Sequence, residues 1–99
     1  MKRGGFIYIL TNKNNNVLYT GVTSELFQRV WQHRTGAFKN AFTSKYKVTK
    51  LVYFEEFLSI EDAISREKQI KAGSRKKKIE LINIFNPEWK DLFIGVSYL

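Results

Sequence analysis

The sequence predicts an α+β domain: a small three-stranded antiparallel sheet flanked by helices, in the order ββαβαα. Three observations lead there. Two apolar, β-branched and aromatic runs flank an asparagine-rich turn near the N-terminus, which is the pattern of a hairpin. A third such run lies at residues 48–57. Between and after these runs, apolar residues recur at helical spacing behind capping serines and threonines.

Gly4 to Leu10 reads as a buried first strand, because its apolar run is nearly continuous. Residues 11–16 (TNKNNN) form the turn, with asparagines suited to positive φ. Val17 to Val22 returns as the second strand. Thr23 or Ser24 can cap a helix with the apolar stripe Leu26, Phe27, Val30 and Trp31, which runs to about Arg34 and is stopped by Gly36. Residues 37–47, mixed aromatic and basic, are assigned to a loop. Val48 to Phe57 is the third strand, with Leu51, Tyr53 and Glu55 expected on one face and Val52, Phe54 and Glu56 on the other. Ser59 opens a capping box with Asp62 in the third position, and the helix behind it runs to Ala72 before Gly73. Ser74 begins a last helix to about Phe85, expected to bury Ile79, Ile82 and either Leu81 or Phe85. Asn86-Pro87 ends it, since the residue before proline disfavours helix. Residues 88–99, with Trp89, Leu92, Phe93 and Ile94, are expected to pack back as a short turn or helix. One domain over residues 1–99 follows, which suits the length.

Composition narrows the chemistry. With no cysteine, a disulfide scaffold, a thiolate zinc site and a cysteine nucleophile are excluded; one histidine, His33, excludes a multi-histidine metal site. The longest apolar stretch, Phe6 to Leu10, is far short of the ~20 residues of a membrane helix. No apolar core of a signal peptide follows Met1-Lys2-Arg3. A soluble, cytoplasmic chain is expected, with no membrane partner.

The chain carries 17 lysines and arginines against 9 aspartates and glutamates, a net charge of +8. Residues 1–50 hold nine of the cations and one acid, Glu25, so the whole excess lies there. A one-sided field of this kind attracts polyanions and raises their encounter rate. Nucleic acid is the expected partner, and charge does not separate DNA from RNA. A second cluster, Lys71 to Lys78, adds five positive charges, Lys71, Arg75, Lys76, Lys77 and Lys78, and no acid. If Ser74 caps the last helix, Arg75 to Lys78 fill its first turn against the helix dipole, at ~0.3–1 kcal/mol each where exposed. Phosphate contacts are one compensation for that cost; a solvated basic turn is the plainer reading.

Some residues sit oddly in their surroundings. Glu67 falls on the stripe of Ile60, Ala63, Ile64 and Ile70, where a carboxylate is costly unless paired or bound to a metal. A salt bridge to Arg29 or Arg66 is the structural reading, and metal ligation the functional one. Arg29 and His33, four apart, are neighbours at the border of the first helix's stripe. They suit phosphate binding and proton transfer, or plain solvation of a helix edge. Tyr8 and Tyr19 belong to paired strands and can stand side by side, as strand tyrosines commonly do. Gly21, at the end of the second strand, allows close approach of another group.

Taken together, these residues resemble the GIY-YIG nuclease superfamily, particularly small stand-alone members similar to the nuclease module of the bacterial excision-repair subunit. The first motif reads Phe6-Ile7-Tyr8 and the second Tyr19-Thr20-Gly21, with ten residues between the two tyrosines. Phe6 stands in place of the first glycine and Thr20 in place of the central isoleucine. Arg29 and His33 match the family's Arg-x-x-x-His, and Glu67 its metal-binding glutamate. The segment from Lys76 to Leu92 looks like the end of the small subfamily. The likeness covers residues 4–92.

The resemblance implies a metal-dependent endonuclease acting on DNA, with a link to DNA repair or processing. It implies Glu67 as ligand of Mg²⁺ or Mn²⁺, Tyr8 as general base, and Tyr19 as the group orienting water or a phosphate oxygen. Arg29 would stabilise charge on the phosphoryl group, and His33 would relay the proton of Tyr8 or bind phosphate. Asn86 matches a family asparagine that supports the phosphate, and its Asn-Pro context explains it equally as a helix stop. A free tyrosine titrates near pH ~10, so Tyr8 is expected to need Arg29 and His33 to lower that value. Lys39, Lys45, Lys47, Arg75, Lys76, Lys77 and Lys78 are the expected nucleic-acid contacts, with Phe38 or Phe42 stacking on bases or packed in the core. The chain is expected to act as a monomer or weak homodimer, with any specificity supplied by nucleic-acid structure or a partner protein. A catalytically weak binding module for DNA or RNA is the alternative.

Overall fold

The computed structural model describes residues 4–37 and 42–98. Seven residues, Gly5–Thr11, form β1, and Leu18–Thr23 form β2. Helix α1 spans Leu26–Arg34, the short helix α2 Phe42–Lys45, and strand β3 Lys50–Phe57. Helices α3 (Ile60–Ala72) and α4 (Arg75–Phe85) follow, and a 3-10 helix covers Ile94–Tyr98. The sheet has the order β2-β1-β3 with antiparallel neighbours, so β1 is central. This is the α+β architecture expected from the sequence.

β1 is buried along its whole length because both of its faces are covered. Phe6, Tyr8 and Leu10 meet Leu26 and Val30 of α1, with Val48, Leu51 and Val96, on one face. Ile7 and Ile9 meet Ala63 and Ile70 of α3, with Ile82 of α4, on the other. The tight turn between β1 and β2 is held by Asn12, whose Oδ1 accepts from the backbone N–H of Asn16 and Val17, and Asn15 takes φ +58°.

The local signals for helix ends are used as expected at α3 and α4. Ser59 Oγ accepts from the Asp62 N–H and Ser74 Oγ from the Lys77 N–H, both at 3.2 Å. At α1 the hydroxyl of Thr23 accepts from the N–H of Glu25, and the helix begins one residue later. Gly36, at φ +74°, closes it: its N–H reaches the His33 carbonyl while the Ala37 N–H reaches that of Gln32.

Three expectations are corrected. The segment at 37–47, read as loop, contains α2, because Thr43 is drawn into the interior and starts a helical turn there. The face alternation of β3 breaks between Leu51 and Tyr53, which pair with consecutive residues Leu10 and Ile9. Val52 is the extra residue of a bulge, so Leu51 stays with Phe54 on the α1 face while Val52 and Tyr53 both join the α3 side. On α1 the buried stripe is Leu26, Val30 and His33. Phe27 and Trp31 lie on its flank, stacked with Phe93 of the C-terminal segment rather than inside the core.

That C-terminal segment packs back and seals the outer edge of β3. The Leu92 N–H donates to the Leu51 carbonyl at 2.8 Å, and the Leu51 N–H donates to Asp91 Oδ1. Phe85 packs edge-on against Tyr53 and Phe54 while remaining half-exposed, and Ile82 carries the burial of α4.

α3 crosses the sheet closely because β1 offers it a glycine. A Cβ on Gly5 would stand 2.6 Å from Ile60 Cδ1, 2.9 Å from Ala63 Cβ and 3.1 Å from the Ile60 Cα. Backbone is among the obstacles, so Gly5→Ala must push α3 outward. We expect a loss of about 1–3 kcal/mol in unfolding free energy, read from the midpoint of urea denaturation at unchanged slope.

Candidate active site

β1 points Tyr8 at α1, and the ring is 1% exposed. Its cross-strand partner is Gly21 of β2. A Cβ there would lie 2.4 Å from both the hydroxyl and Cζ of Tyr8. The phenol therefore occupies the volume in which any other residue would carry its side chain. Leu10 pairs with Tyr19, which makes Tyr19 the diagonal same-face neighbour of Tyr8. Their ring centroids are 6.3 Å apart, so the two expected tyrosines do stand together.

His33 enters from the last turn of α1, on the buried stripe rather than at the solvent border where the sequence placed it. Its Nε2 is 3.2 Å from the Tyr8 hydroxyl, and its ring centroid is 5.4 Å from that of Tyr19. Nδ1 lies 2.8 Å from Oγ1 of Thr43 in α2. Thr43 was not singled out in the sequence, and no signal there could have found it: no spacing rule connects the two residues. Arg29, one turn before His33, lines a shallow cleft with Thr23, Ser24, Glu25, Gln28 and Gln32.

The electrostatics of the pair are set by burial. The Tyr8 phenol is pushed up well beyond its ordinary value, first by burial and then by the neighbouring Tyr19, against the pull of Arg29. This overturns the expectation that Arg29 and His33 leave Tyr8 with a lowered value: desolvation outweighs the one cation. His33 is shifted below its ordinary 6.5, again by burial first and by the charge of Arg29 second. Its imidazole is thus neutral near pH 7. Which ring nitrogen carries its proton sets which of the two contacts, to Thr43 or to Tyr8, it donates in.

Glu67 sits where its spacing put it, between Ala63 and Ile70 on the inner stripe of α3, with 13% of its side chain exposed. Its partner is Lys71, at 2.9 Å. The expected partner Arg66 instead holds Glu55 of β3 at 3.1 Å. The Glu67–Lys71 pair was legible as an i,i+4 spacing. α3 lies on the face of the sheet opposite Tyr8, yet Lys71 reaches round the edge strand: it lines an open groove with Leu18, Tyr19, Thr20, Phe42 and Lys78. Among the described residues no three His, Cys, Asp or Glu side chains cluster to hold a metal. A single carboxylate fits a hard cation such as Mg²⁺, which keeps most of its waters and takes further oxygens from phosphate. Lys71 is the more exposed member of the pair, at 52% against 13%, so a cation that replaced it would keep the carboxylate paired.

Asn86 is employed as a clamp. Its Nδ2 donates to the carbonyls of Val52 and Lys90, and its Oδ1 accepts from the Lys90 N–H. Both amide hydrogens are engaged, which leaves no donor for a phosphate and corrects that part of the expectation. The helix-stop reading stands, extended to fastening the chain after α4 onto the bulge of β3.

The expected basic contacts divide. Lys78 shares the groove with Tyr19 and Phe42, and so does Lys71. Lys45 belongs to α2 and lies over the Tyr46 ring, and Lys47 follows in a positive-φ turn. Phe42 stacks on Tyr19 and is half-exposed. Arg75 is turned away to the hairpin, donating to the Asn16 carbonyl at 2.9 Å, whereas Lys76 and Lys77 are exposed. Lys39 and Phe38 lie outside the described residues.

Comparison with known proteins adds four findings. Residues 4–80 match the sequence model of the GIY-YIG catalytic domain. A UPF0213 protein of Syntrophus aciditrophicus (strain SB) is 36% identical over 83 residues, 84% of this chain and 93% of the relative. A UPF0213 protein of Clostridium perfringens is 40% identical over 78 residues, 79% of this chain and 82% of the relative. Among solved structures, the solution NMR structure of a UPF0213 protein from Bacillus halodurans matches with a TM-score of 0.56 at 30% identity, over 89% of this chain and 92% of that one. Among the described residues no helix is long and apolar enough to cross a membrane.

Gly21→Ala is expected to expel the Tyr8 ring from its seat and break its bond to His33; the readout is the ultraviolet absorbance titration of the tyrosines, in which Tyr8 moves back toward pH ~10. His33 supplies a pH test. Its folded value lies below 6.5, so between the two values the unfolded chain binds more protons. Stability is thus full above about pH 6.5 and falls as pH drops through the folded value. His33→Gln should flatten the difference in urea midpoint between pH 7.5 and 5.5.

Proposed function

The chain belongs to the GIY-YIG catalytic-domain family, and on that premise we propose that it is a metal-dependent endonuclease that hydrolyses DNA phosphodiester bonds with little sequence preference. The observation that carries this reading is the Tyr8 hydroxyl held against a neutral His33, with Tyr19 beside them and Arg29 one helical turn away.

A buried phenol with a raised pKa is a poor base if it must first become a phenolate. The bond to Nε2 removes that requirement. As the oxygen of Tyr8 takes a proton from the attacking water, its own proton passes to His33, so no phenolate has to accumulate. Arg29 faces the same phenol and stabilises the charge that develops on the phosphoryl oxygens. The Tyr19 hydroxyl holds the water or a phosphate oxygen. Glu67 is the residue to hold Mg²⁺ or Mn²⁺. When bound, the cation supplies charge neutralisation of the phosphate. Lys71 and Lys78 line the groove beside Tyr19, and Lys45 and Lys47 extend the positive surface. These groups read backbone charge, so affinity falls with salt and carries little sequence information.

The test is cleavage of supercoiled, branched and single-stranded DNA with Mg²⁺ or Mn²⁺, beside Glu67→Ala. Metal-dependent cutting is expected, reduced by roughly 10²-fold or more in the variant while DNA binding persists. Salt-sensitive binding without cutting by either protein would replace the nuclease by a binding module.

A further inference from the structure

We infer that Thr43 is the positioning residue of the site: its hydroxyl accepts the Nδ1 proton of His33, and so fixes the tautomer and ring angle that present Nε2 to Tyr8. The inference rests on the nuclease reading above, because that reading is what requires Nε2 to receive the proton of Tyr8.

Four observations meet at this residue. Thr43 is 1% exposed, although it lies in a four-residue helix whose neighbours Phe42 and Lys45 are exposed. Its Oγ1 is 2.8 Å from His33 Nδ1, a better hydrogen bond than the 3.2 Å contact on the other side of the ring. The helix is itself fastened: the Val48 N–H donates to the Thr43 carbonyl at 2.8 Å, and Val48 is fully buried in the core beside Tyr8 and Val30. The adjacent Phe42 stacks on Tyr19, so one short element braces both the histidine and the second tyrosine.

The proton relay then selects between the two tautomers. A neutral imidazole has one N–H and one lone pair. If the proton sat on Nε2, the Tyr8 hydroxyl would have to accept from it, and could not hand its own proton to His33. With the proton on Nδ1, Thr43 accepts it and Nε2 is left to receive the proton of Tyr8. An imidazole N–H fixed by a side-chain acceptor is a common means of choosing which nitrogen reacts. The cause of the burial is also the cause of the function: a β-branched residue carries a methyl group that packs in the interior and a hydroxyl that has to find a partner there.

His33 is the chain's single histidine, so every imidazole ¹⁵N signal belongs to it. The experiment is long-range ¹H–¹⁵N correlation on the free, uniformly labelled protein at pH 8, repeated on Thr43→Val and Thr43→Ser. The native protein is expected to show one neutral tautomer, protonated at Nδ1. Thr43→Val should give a mixture or the Nε2–H form, and Thr43→Ser should restore the native pattern. In the cleavage assay Thr43→Val should lower kcat by roughly ten- to a hundredfold, the range found when the outer partner of a metal-bound histidine is removed, with KM little changed. An Nε2–H tautomer in the native protein overturns the inference, and so does an unchanged Nδ1–H pattern in Thr43→Val. The native spectrum decides even if the valine variant fails to fold. Because the spectrum is taken without metal or DNA, it separates failure of this inference from failure of the nuclease reading.

Discussion

The Tyr8 ring lies across Gly21, in the space a side chain would fill, and from that seat its hydroxyl reaches His33. Both ends of this contact are rigidly supplied. One comes from the central strand, buried along its whole length, and the other from the buried stripe of α1. The hairpin register is what aligns them, since a slip of one residue would turn Tyr8 to the opposite face and put a side chain in its place. The polar turn at Asn12, with its side chain bonded to the backbone of Asn16 and Val17, therefore bears on the site from the far end of the hairpin.

The same contact explains the unusual chemistry of its members. Burial that would disable an isolated tyrosine as a base also keeps the histidine neutral. A pair in which one partner resists losing its proton and the other resists carrying a charge suits a concerted transfer better than either group alone. Arg29 lowers both values, favouring the phenolate but disfavouring the imidazolium, so its two effects on proton transfer from Tyr8 to His33 oppose each other.

The sheet separates this centre from Glu67. α1 covers one face and α3 the other, so groups of both helices can meet one substrate only round the edge of β2. The groove there is lined by Tyr19 and Thr20 of that strand, by Phe42 of α2, and by Lys71 and Lys78 of the opposite layer. The other edge of the sheet is closed by the C-terminal segment and the Asn86 clamp. One sheet edge is sealed with backbone partners, and the other is left with aromatic rings and ammonium groups.

Much of this was legible before any coordinates. The hairpin, the helix caps at Ser59 and Ser74, the face of Glu67 and the adjacency of Tyr8 and Tyr19 all follow from periodicity and capping, because each depends on neighbours within a strand or a few helical turns. What the sequence could not supply were contacts made across the fold. The bulge at Val52 changes which face each β3 residue takes, and it arises from pairing with β1 rather than from the residues of β3 alone. The burial of His33, the upward shift of Tyr8 and the use of both Asn86 hydrogens depend on what packs around those groups. Thr43 is the clearest case: its own sequence context says loop, and only the docking of α2 beneath α1 brings its hydroxyl to His33. Local pattern determined which elements form and which side chains they offer. Desolvation and long-range hydrogen bonding decided what state those side chains are in, since both are properties of the assembled interior and have no value until the chain has closed around them.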